Sequence, residues 1–287
     1  MNPVVRAVAL GAGACLLFTL ETVIAKLIAG VPIATIVLAR AVGQLAWPLA
    51  FAGRDPVGLL RTRALPMQIF RGLLSVVSWY LYFYALARLP LATATVLSFT
   101  SILFVTALAA PVLRERVGPR RWAATLVGFA GVVVILQPGS VPLDGAVLAA
   151  IGSAAFGGTI VLTTKLLART ERTETIMLYI GLVAVAVALP VALPGLAWPG
   201  MANFGLLLMA GLCGPFAMHL WINALRLADA SLIAPIAYIR LVFAAGFGLL
   251  LWGEVPDWTL GLGAALIIGS ALYITRREAV LARARRP

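Results

Sequence analysis

The sequence predicts an all-α membrane protein with ten transmembrane helices, arranged as two inverted five-helix repeats with the N and C termini in the cytoplasm. The first observation behind this fold class is composition: 62% of the 287 residues are hydrophobic and 11% are charged, with a mean hydropathy of +1.05. Soluble domains carry about one-quarter charged residues. The other two observations are basic residues confined to alternate loops and one sequence repeat that spans both halves of the chain.

Ten apolar segments approach the roughly 20 residues that an α-helix needs to cross a bilayer. They are predicted at residues 4–28, 32–52, 66–87, 91–113, 121–137, 145–167, 175–193, 203–225, 231–253 and 258–275. The connections are rich in Gly, Pro and charged residues and none exceeds about a dozen residues, so no soluble domain is expected. The first segment is too long for a signal-peptide core, and we expect it to remain as a helix.

The basic residues predict the orientation of these helices, because Arg and Lys are enriched in cytoplasmic loops. With a cytoplasmic N-terminus, the inner side holds Arg6, Arg54, Arg61, Arg63, Arg114, Arg116, Arg120, Arg121, Lys165, Arg169, Arg172, Arg226, Arg276, Arg277, Arg283, Arg285 and Arg286. The outer side holds Arg88 and Lys26. A net charge of +12 would suggest nucleic acid in a soluble protein, but these residues flank apolar helices and no nucleic-acid partner is expected.

One ungapped offset of 139 residues aligns the two halves of the chain. It matches Gly13 with Gly152, Lys26 with Lys165, Ala85 and Leu86 with Ala224 and Leu225, Phe104 with Phe243, and Glu115 with Glu254. Because five helices is an odd number, the second repeat must enter from the opposite side of the membrane. The loop RERVGPRR around Glu115 is basic, whereas GEVPDW around Glu254 has no basic residue. The predicted repeats are residues 1–138 and 139–287.

Each half contains Ala-Leu, then a helix, an acidic turn and a glycine-rich helix. The acidic turn and last helix read RERVGPRRW and GFAGVVVIL in the first half, and WGEVPDW and GAALIIGSALY in the second. Over essentially the whole chain this pattern resembles the EamA-type members of the drug/metabolite transporter superfamily, in whose second helix an arginine such as Arg40 is common. The family often has a proline ahead of each acidic turn, where this chain has Ser101 and Arg240.

The resemblance implies transport, and chain length and aromatic density are similar to those of the family's aromatic amino-acid exporters. It therefore implies export of amino acids, within a superfamily that also transports nucleotide sugars, triose phosphates and drugs.

Charged side chains at membrane depth cost at least about 2.5 kcal/mol each and are functional candidates by default. With a rise of 1.5 Å per residue, Arg40 and Arg240 lie roughly 12 and 14 Å into their helices, near the midplane where inverted repeats bind substrates. For Arg40, an interhelical salt bridge or carbonyl contact is an equal alternative to substrate binding. Glu21 is interpreted first as a partner of an arginine, with snorkelling near Lys26 as the alternative. His219 is interpreted first as a hydrogen-bonded wall residue, with proton coupling as the alternative.

Ser75, Ser78, Trp79 and Tyr82 share one face of the third helix because they are spaced by three and four residues. In the second repeat, the equivalent positions are Gly214, Met218 and Trp221, with His219 and Asn223 nearby, and Ser98, Phe99 and Thr100 correspond to Ala237, Tyr238 and Ile239. The predicted substrate-binding residues are Arg40, Ser78, Trp79, Tyr82, Ser98, Thr100, His219, Asn223, Tyr238 and Arg240. The alternative is that the aromatic residues simply pack against lipid or other helices.

Because two arginines and one glutamate lie at membrane depth, the site is predicted to be electropositive. An aromatic lining favours substrates with apolar or ring-bearing side chains. The sequence therefore predicts an exporter of amino acids, aromatic or large and apolar, that works by alternating access; the alternative is export of other small metabolites or drugs, such as sugar phosphates, nucleotide precursors or organic cations. Without a G-x-x-x-x-G-K-[ST] motif, transport is expected to be secondary or passive. The expected partners are the substrate and the lipid bilayer, with no cofactor, metal or obligatory protein partner, in a bacterial inner membrane.

Two other classes of membrane protein are disfavoured by the residues. An enzyme acting on lipid needs a cluster of His, Asp or Glu near an interface, and the chain has one histidine and no acidic pair in its apolar segments. A channel needs a continuous polar lining, and the helices are too apolar to supply one.

Overall fold

The computed structural model describes residues 3–28, 30–50, 58–113, 119–136, 144–167, 170–227 and 234–284. In these ranges the α-helices are α1 Pro3–Leu27, α2 Ile33–Ala50, α3 Leu65–Leu86, α4 Leu91–Phe99, α5 Ser101–Leu113, α6 Pro119–Leu136, α7 Gly145–Leu167, α8 Thr173–Ala192, α9 Met201–Leu227, α10 Ile239–Trp252 and α11 Trp258–Ala284. Short 3-10 turns occur at Gly58–Leu60, Leu193–Gly195 and Ala234–Tyr238, and these ranges contain no strand. The predicted all-α class is confirmed.

Each of the ten predicted apolar segments contains a helix, because the hydrocarbon thickness fixes the length of apolar chain that crosses it. Six helices are long and apolar enough to span a membrane, at Val5–Leu27, Ile33–Ala50, Leu65–Leu86, Gly145–Thr164, Thr173–Gly195 and Met201–Trp221. Four shorter apolar helices, at Leu91–Val105, Trp122–Ile135, Ile236–Trp252 and Trp258–Ser270, occupy the other predicted segments. The predicted boundary between the repeats, at residues 138 and 139, lies outside the described residues, and the cytoplasmic placement of the termini stays a prediction.

The packing of the helices pairs the two halves of the chain with each other. Helix α1 packs along α9, and α3 packs along α7. The 139-residue offset converts the first of these pairs into the second. Helix α2 packs on its own counterpart α8, and α6 packs on its counterpart α11. Helix α10 packs on α1, and its counterpart α5 packs on α7, the counterpart of α1. This exchange of partners is what a two-fold relation between five-helix repeats produces, and it fits the two-repeat architecture.

The fourth segment is a broken helix, although its hydropathy predicts one continuous span. Helix α4 ends at Phe99, and the hydroxyl group of Thr100 donates a hydrogen bond to the Leu97 carbonyl at 2.6 Å. Two residues earlier, the hydroxyl group of Ser98 donates to the Thr95 carbonyl at 2.7 Å. Such hydroxyl groups offer helix carbonyls a partner other than the backbone N–H. The interruption therefore occurs without a proline at residue 101.

The ninth segment is interrupted at the equivalent place, where the 3-10 turn Ala234–Tyr238 changes into α10. The rings of Phe99 and Tyr238, which the 139-residue offset aligns, meet edge to face with centroids 5.1 Å apart. Discontinuous helices near the middle of the membrane are the usual location of binding sites in inverted-repeat transporters. The two interruptions thus mark the central region of this bundle.

Glycine permits backbone contact between α2 and α9. A Cβ atom on Gly211 would lie 2.7 Å from the carbonyl oxygen of Ala39, and one on Gly43 would overlap the carbonyl group of Gly211. Small residues at membrane helix interfaces allow such close approach. The contact brings α9 against the part of α2 that carries Arg40.

Candidate functional site

A central cavity of about 230 Å³ lies between the interrupted helices and is formed by both halves of the chain. Its lining residues come from α1, α2, α3, α4, α5, α7 and α10, and they are Phe18, Glu21, Thr22, Arg40, Ser78, Trp79, Tyr82, Phe83, Ser98, Ser101, Ser153, Ala154, Gly157 and Arg240. The lining therefore combines two arginines, one glutamate, four serines and four aromatic rings.

A buried ion pair joins Arg40 of α2 to Glu21 of α1, and the two side chains are 12% and 6% exposed. The guanidinium group of Arg40 also lies over the ring of Trp79, 4.4 Å from its centroid. A Cβ atom on Gly214 of α9 would lie 2.7 and 2.9 Å from the two carboxylate oxygens of Glu21 and would overlap Arg40. The ion pair thus fills the space that a glycine leaves, and it makes the pairing that we favoured for Glu21.

Arg240 lies in the same cavity and has no carboxylate partner among the residues that the structure describes. Its guanidinium carbon is 5.2 Å from the centroid of the Phe18 ring. Among the described residues its Nε finds no hydrogen-bond acceptor, and no carboxylate oxygen lies within ion-pair distance of it. Because Glu21 neutralises one of the two arginines, the cavity keeps one unbalanced positive charge. A charge at membrane depth is costly unless a partner is supplied, so Arg240 favours a ligand that accepts hydrogen bonds.

Serine hydroxyl groups form the polar part of the wall where α3 meets α7. Ser78 and Ser153 bond reciprocally: the Ser153 hydroxyl donates to the Ser78 carbonyl at 2.9 Å, and the Ser78 hydroxyl donates to the Ser153 carbonyl at 3.1 Å. Ser98 bonds to its own helix, and Ser101 follows the interruption of the fourth segment. The reciprocal bonds hold α3 and α7 together at the edge of the cavity.

The structure brings seven of the predicted site residues to the cavity. They are Arg40, Ser78, Trp79, Tyr82, Ser98, Arg240 and Glu21.

Four predicted residues do not line the cavity. Thr100 is buried and bonded to its own helix, and Tyr238 packs on Phe99. In α9, Asn223 donates to the His219 carbonyl at 2.9 Å, and the His219 ring lies 5.8 Å from the Trp47 ring. If the two repeats were exactly symmetric, these four residues would lie at the site. Instead, their side chains form hydrogen bonds to nearby backbone carbonyls or pack against other rings.

Several polar or aromatic residues of this region were missed from the sequence. Phe18, Thr22, Phe83, Ser153 and Gly157 line the cavity, as does Ser101, which the offset aligns with Arg240 and which could have been found from that alignment. Arg71 lies within the predicted segment 66–87 and is buried, so the rule that selected Arg40 also selects it.

A second charged cluster ties the C-terminal end of α1 to both repeats. Lys26 forms an ion pair with Glu254 and donates a hydrogen bond to the Leu89 carbonyl at 3.0 Å. The other carboxylate oxygen of Glu254 accepts the backbone N–H of Leu91, the first residue of α4, at 2.7 Å. An apolar pocket beside Lys26 shares Phe83 with the central cavity. Phe83 therefore separates the cavity from this end of the bundle, which is predicted to face outside.

Comparison with known proteins identifies the family. The EamA-like transporter family matches twice, at residues 5–137 and 144–276. A riboflavin transporter of Rhizobium johnstonii is 35% identical over 83% of this chain and 79% of its own length. An S-adenosylmethionine uptake transporter of Rickettsia prowazekii is 32% identical over 76% of this chain and 74% of its own. The pseudopaline exporter CntI of Pseudomonas aeruginosa is 31% identical over 76% of this chain and 78% of its own.

A crystal structure with 21% sequence identity has the same fold, with a TM-score of 0.67 over 98% of both chains. The relatives are named for riboflavin, S-adenosylmethionine and pseudopaline, so they do not support the resemblance to aromatic amino-acid exporters in particular. The two family matches together cover nearly all of the sequence, one in each half. The chain belongs to the EamA-like transporter family and is a multi-pass membrane transporter of the bacterial inner membrane.

Proposed function

We propose that this transporter carries a small metabolite that joins a flat ring system to a carboxylate or similar hydrogen-bond acceptor, and that the metabolite binds in the central cavity. The observation that carries the proposal is Arg240, which lies at the cavity wall over the ring of Phe18 without a carboxylate partner among the described residues. A guanidinium group presents a planar fork of donors that suits a carboxylate. The acidic group of the substrate would therefore replace the missing partner.

Aromatic side chains supply the second half of the proposed recognition. Trp79, Tyr82 and Phe83 line the cavity, with Arg40 over the ring of Trp79, and Phe18 lies beneath Arg240. Aromatic pairs gain about 0.5–1.5 kcal/mol beyond the burial of their area, so a ring-bearing substrate would bind better than an aliphatic one of equal charge. The cavity of about 230 Å³ lies just below the roughly 300–1,000 Å³ of small-molecule sites, so it favours a substrate at the small end of that class.

Aromatic amino acids are the simplest compounds with both parts, and we retain them as the first candidate substrates. The unbalanced positive charge of the cavity disfavours compounds with a net positive charge, which argues against organic cations. Riboflavin is the second candidate, because the Rhizobium johnstonii relative is a riboflavin transporter. It has a flat ring system, and its chain of hydroxyl groups would suit the serines of the cavity, but it lacks a carboxylate.

Alternating access is the proposed mechanism, with the two repeats moving about the cavity. Export was predicted from the sequence, whereas the relatives are named for both uptake and export. The direction therefore has to be measured together with the substrate.

The test is flux across proteoliposomes that contain the purified protein. Labelled tryptophan, phenylalanine, riboflavin, lysine and glucose 6-phosphate are each measured from inside to outside and from outside to inside. We expect tryptophan or riboflavin to move faster than lysine, with protein-free liposomes as the control. Flux of lysine or glucose 6-phosphate alone would contradict the proposed substrate class.

A further inference from the structure

A polar stripe extends from the central cavity along one face of α3. Gln68, Arg71, Ser75, Ser78 and Tyr82 follow one another at spacings of three and four residues, which places them on one side of the helix. Ser78 and Tyr82 line the cavity, and the other three continue the stripe towards the N-terminal end of α3. That end is predicted to face the cytoplasm. The stripe is therefore a buried polar route between the cavity and one side of the membrane.

Arg71 is the charged residue of the stripe, and it is only 6% exposed. Its Nε donates to the hydroxyl group of Thr164 in α7 at 2.8 Å, and its Nη1 donates to Ser75 at 3.3 Å. These bonds use two of the five N–H donors of a guanidinium group. No carboxylate lies within ion-pair distance in the part of the chain that the structure describes. Like Arg240, Arg71 is therefore an arginine with donors available for an anion.

Gln68 lies one turn before Arg71 and is fully buried, with 0% of its surface exposed. Neither the oxygen nor the nitrogen of its amide group has a hydrogen-bond partner among the described residues. A buried amide without partners is unfavourable, and such groups usually bond to a ligand or an ordered water. Within the described residues, an amide group without partners thus lies one turn from a guanidinium group without a carboxylate, and together they offer the donors of a binding site for an acidic group.

The stripe is particular to the α3 and α7 pair. The 139-residue offset converts Gln68, Arg71, Ser78, Ser153 and Thr164 into Leu207, Ala210, Ala217, Ala14 and Ala25. These counterparts are all buried apolar residues of α9 and α1, which pack on each other as α3 and α7 do. Arg71 and its neighbours are therefore not a structural feature that the repeat requires, and a functional role explains why one half carries them.

We propose that Arg71, with Gln68 and Thr164, forms a second anion-binding position on the substrate route, between the central cavity and the N-terminal end of α3. Seven residues separate Arg71 from Ser78, or roughly 10 Å along the helix. An acidic group released from Arg240 would pass to Arg71 when α3 and α7 separate at the serine pair Ser78 and Ser153. The identity of the acidic group rests on the proposed function, whereas the location of the site does not.

The experiment measures the charge preference of thiol labelling beside Arg71. Cys15 and Cys213 are first replaced by Ala, and Ser75→Cys is introduced as the reporter. The protein in proteoliposomes is treated on both sides with the negatively charged sulfonatoethyl methanethiosulfonate or with its positively charged trimethylammonium analogue. Each rate is divided by the rate of that reagent with a free thiol. Val77→Cys is the control, because Val77 lies on the outer surface of α3 with 42% of its surface exposed.

We expect Ser75→Cys to react faster than Val77→Cys, and to prefer the negative reagent. Arg71→Gln should lower this preference roughly tenfold, the low end of electrostatic steering, while Arg71→Lys retains it. Labelling no faster than at Val77→Cys, or a preference unchanged by Arg71→Gln, would overturn the proposal. If the Ser75→Cys protein does not fold, Thr164→Cys places the reporter beside Arg71 from α7. The labelling rate and the charge preference are then measured in the same way.

The labelling test needs no substrate, so its outcome is separate from that of the flux assay. A protein that transports none of the ring-bearing compounds but shows the charge preference would contradict the proposed substrate class and retain the anion site. A protein that transports tryptophan but shows no charge preference would do the reverse.

Discussion

Replacing Gly214 with Ala should displace the ion pair at the centre of the protein. The added methyl carbon would overlap Arg40 and lie 2.7 Å from one Glu21 oxygen, whereas ordinary contact begins at 3.4 Å, so the pair or α9 must move by at least about 0.7 Å. Overpacking of this kind costs typically 1–3 kcal/mol. At 1.4 kcal/mol per tenfold change, that cost would weaken substrate binding by about 5- to 150-fold if the bound state needs the native pair.

Gly205→Ala is the matched control for this change, because it lies in the same helix and a Cβ atom there has no neighbour within 4 Å. Alanine in place of glycine in a helix stabilises by about 0.4–1 kcal/mol where the space is open. The two variants are therefore expected to shift stability in opposite directions. The measurements are thermal unfolding in detergent and equilibrium binding of the labelled substrate.

The reasoning would be refuted if Gly214→Ala matched Gly205→Ala in both unfolding temperature and affinity. Equal behaviour would mean that α9 does not hold Glu21 and Arg40 together, and that the close contact has no consequence for the site.

Two further predictions concern the ion pairs. Glu21→Gln should destabilise the protein by about 3–5 kcal/mol, since it leaves the buried charge of Arg40 unpaired, and adding Arg40→Gln should restore part of that loss in thermal unfolding. Absence of any recovery in the double variant would contradict direct coupling. Exchanging the charges of the other pair, with Lys26→Glu and Glu254→Lys together, should not restore the stability that either single change removes. The reason is that Glu254 also accepts the N–H of Leu91, which a lysine cannot do; full recovery would contradict it.

Much of the fold was predictable because each apolar segment must be long enough to cross the membrane, whatever the other segments do. The segment 145–167 was predicted with the bounds that the helix Gly145–Leu167 has in the structure. The segment 91–113 was predicted as one helix and is two, since hydropathy does not report a change in backbone hydrogen bonding at Thr100. The side chain that makes the break was visible, but the bond that it forms depends on the local backbone.

The candidate site was predictable only in part. The sequence shows how deep a charged residue lies in its helix, but it does not show which side chains that residue contacts. Arg40 and Arg240 were selected by the cost of a charge in the membrane, and both line the cavity. That Glu21 pairs with Arg40 depends on Gly214, which lies in a distant part of the chain. Arg71 lies near the start of its segment, where a side chain often reaches the interface, and only its packing on α7 shows that it is buried.

The central claim is that Arg240, which has no carboxylate partner in the described part of the chain, recognises the substrate, and equilibrium binding to variants of Arg240 tests it most directly. The labelled compound is the one that the wild-type protein transports, tryptophan or riboflavin. A hydrogen bond to a charged group contributes about 1.5–3 kcal/mol, so Arg240→Gln should raise the Kd about ten- to a hundredfold. Arg88→Gln removes an exposed arginine that lies over the Tyr84 ring, and it should leave the Kd unchanged. Equal affinity in the two variants would contradict the account.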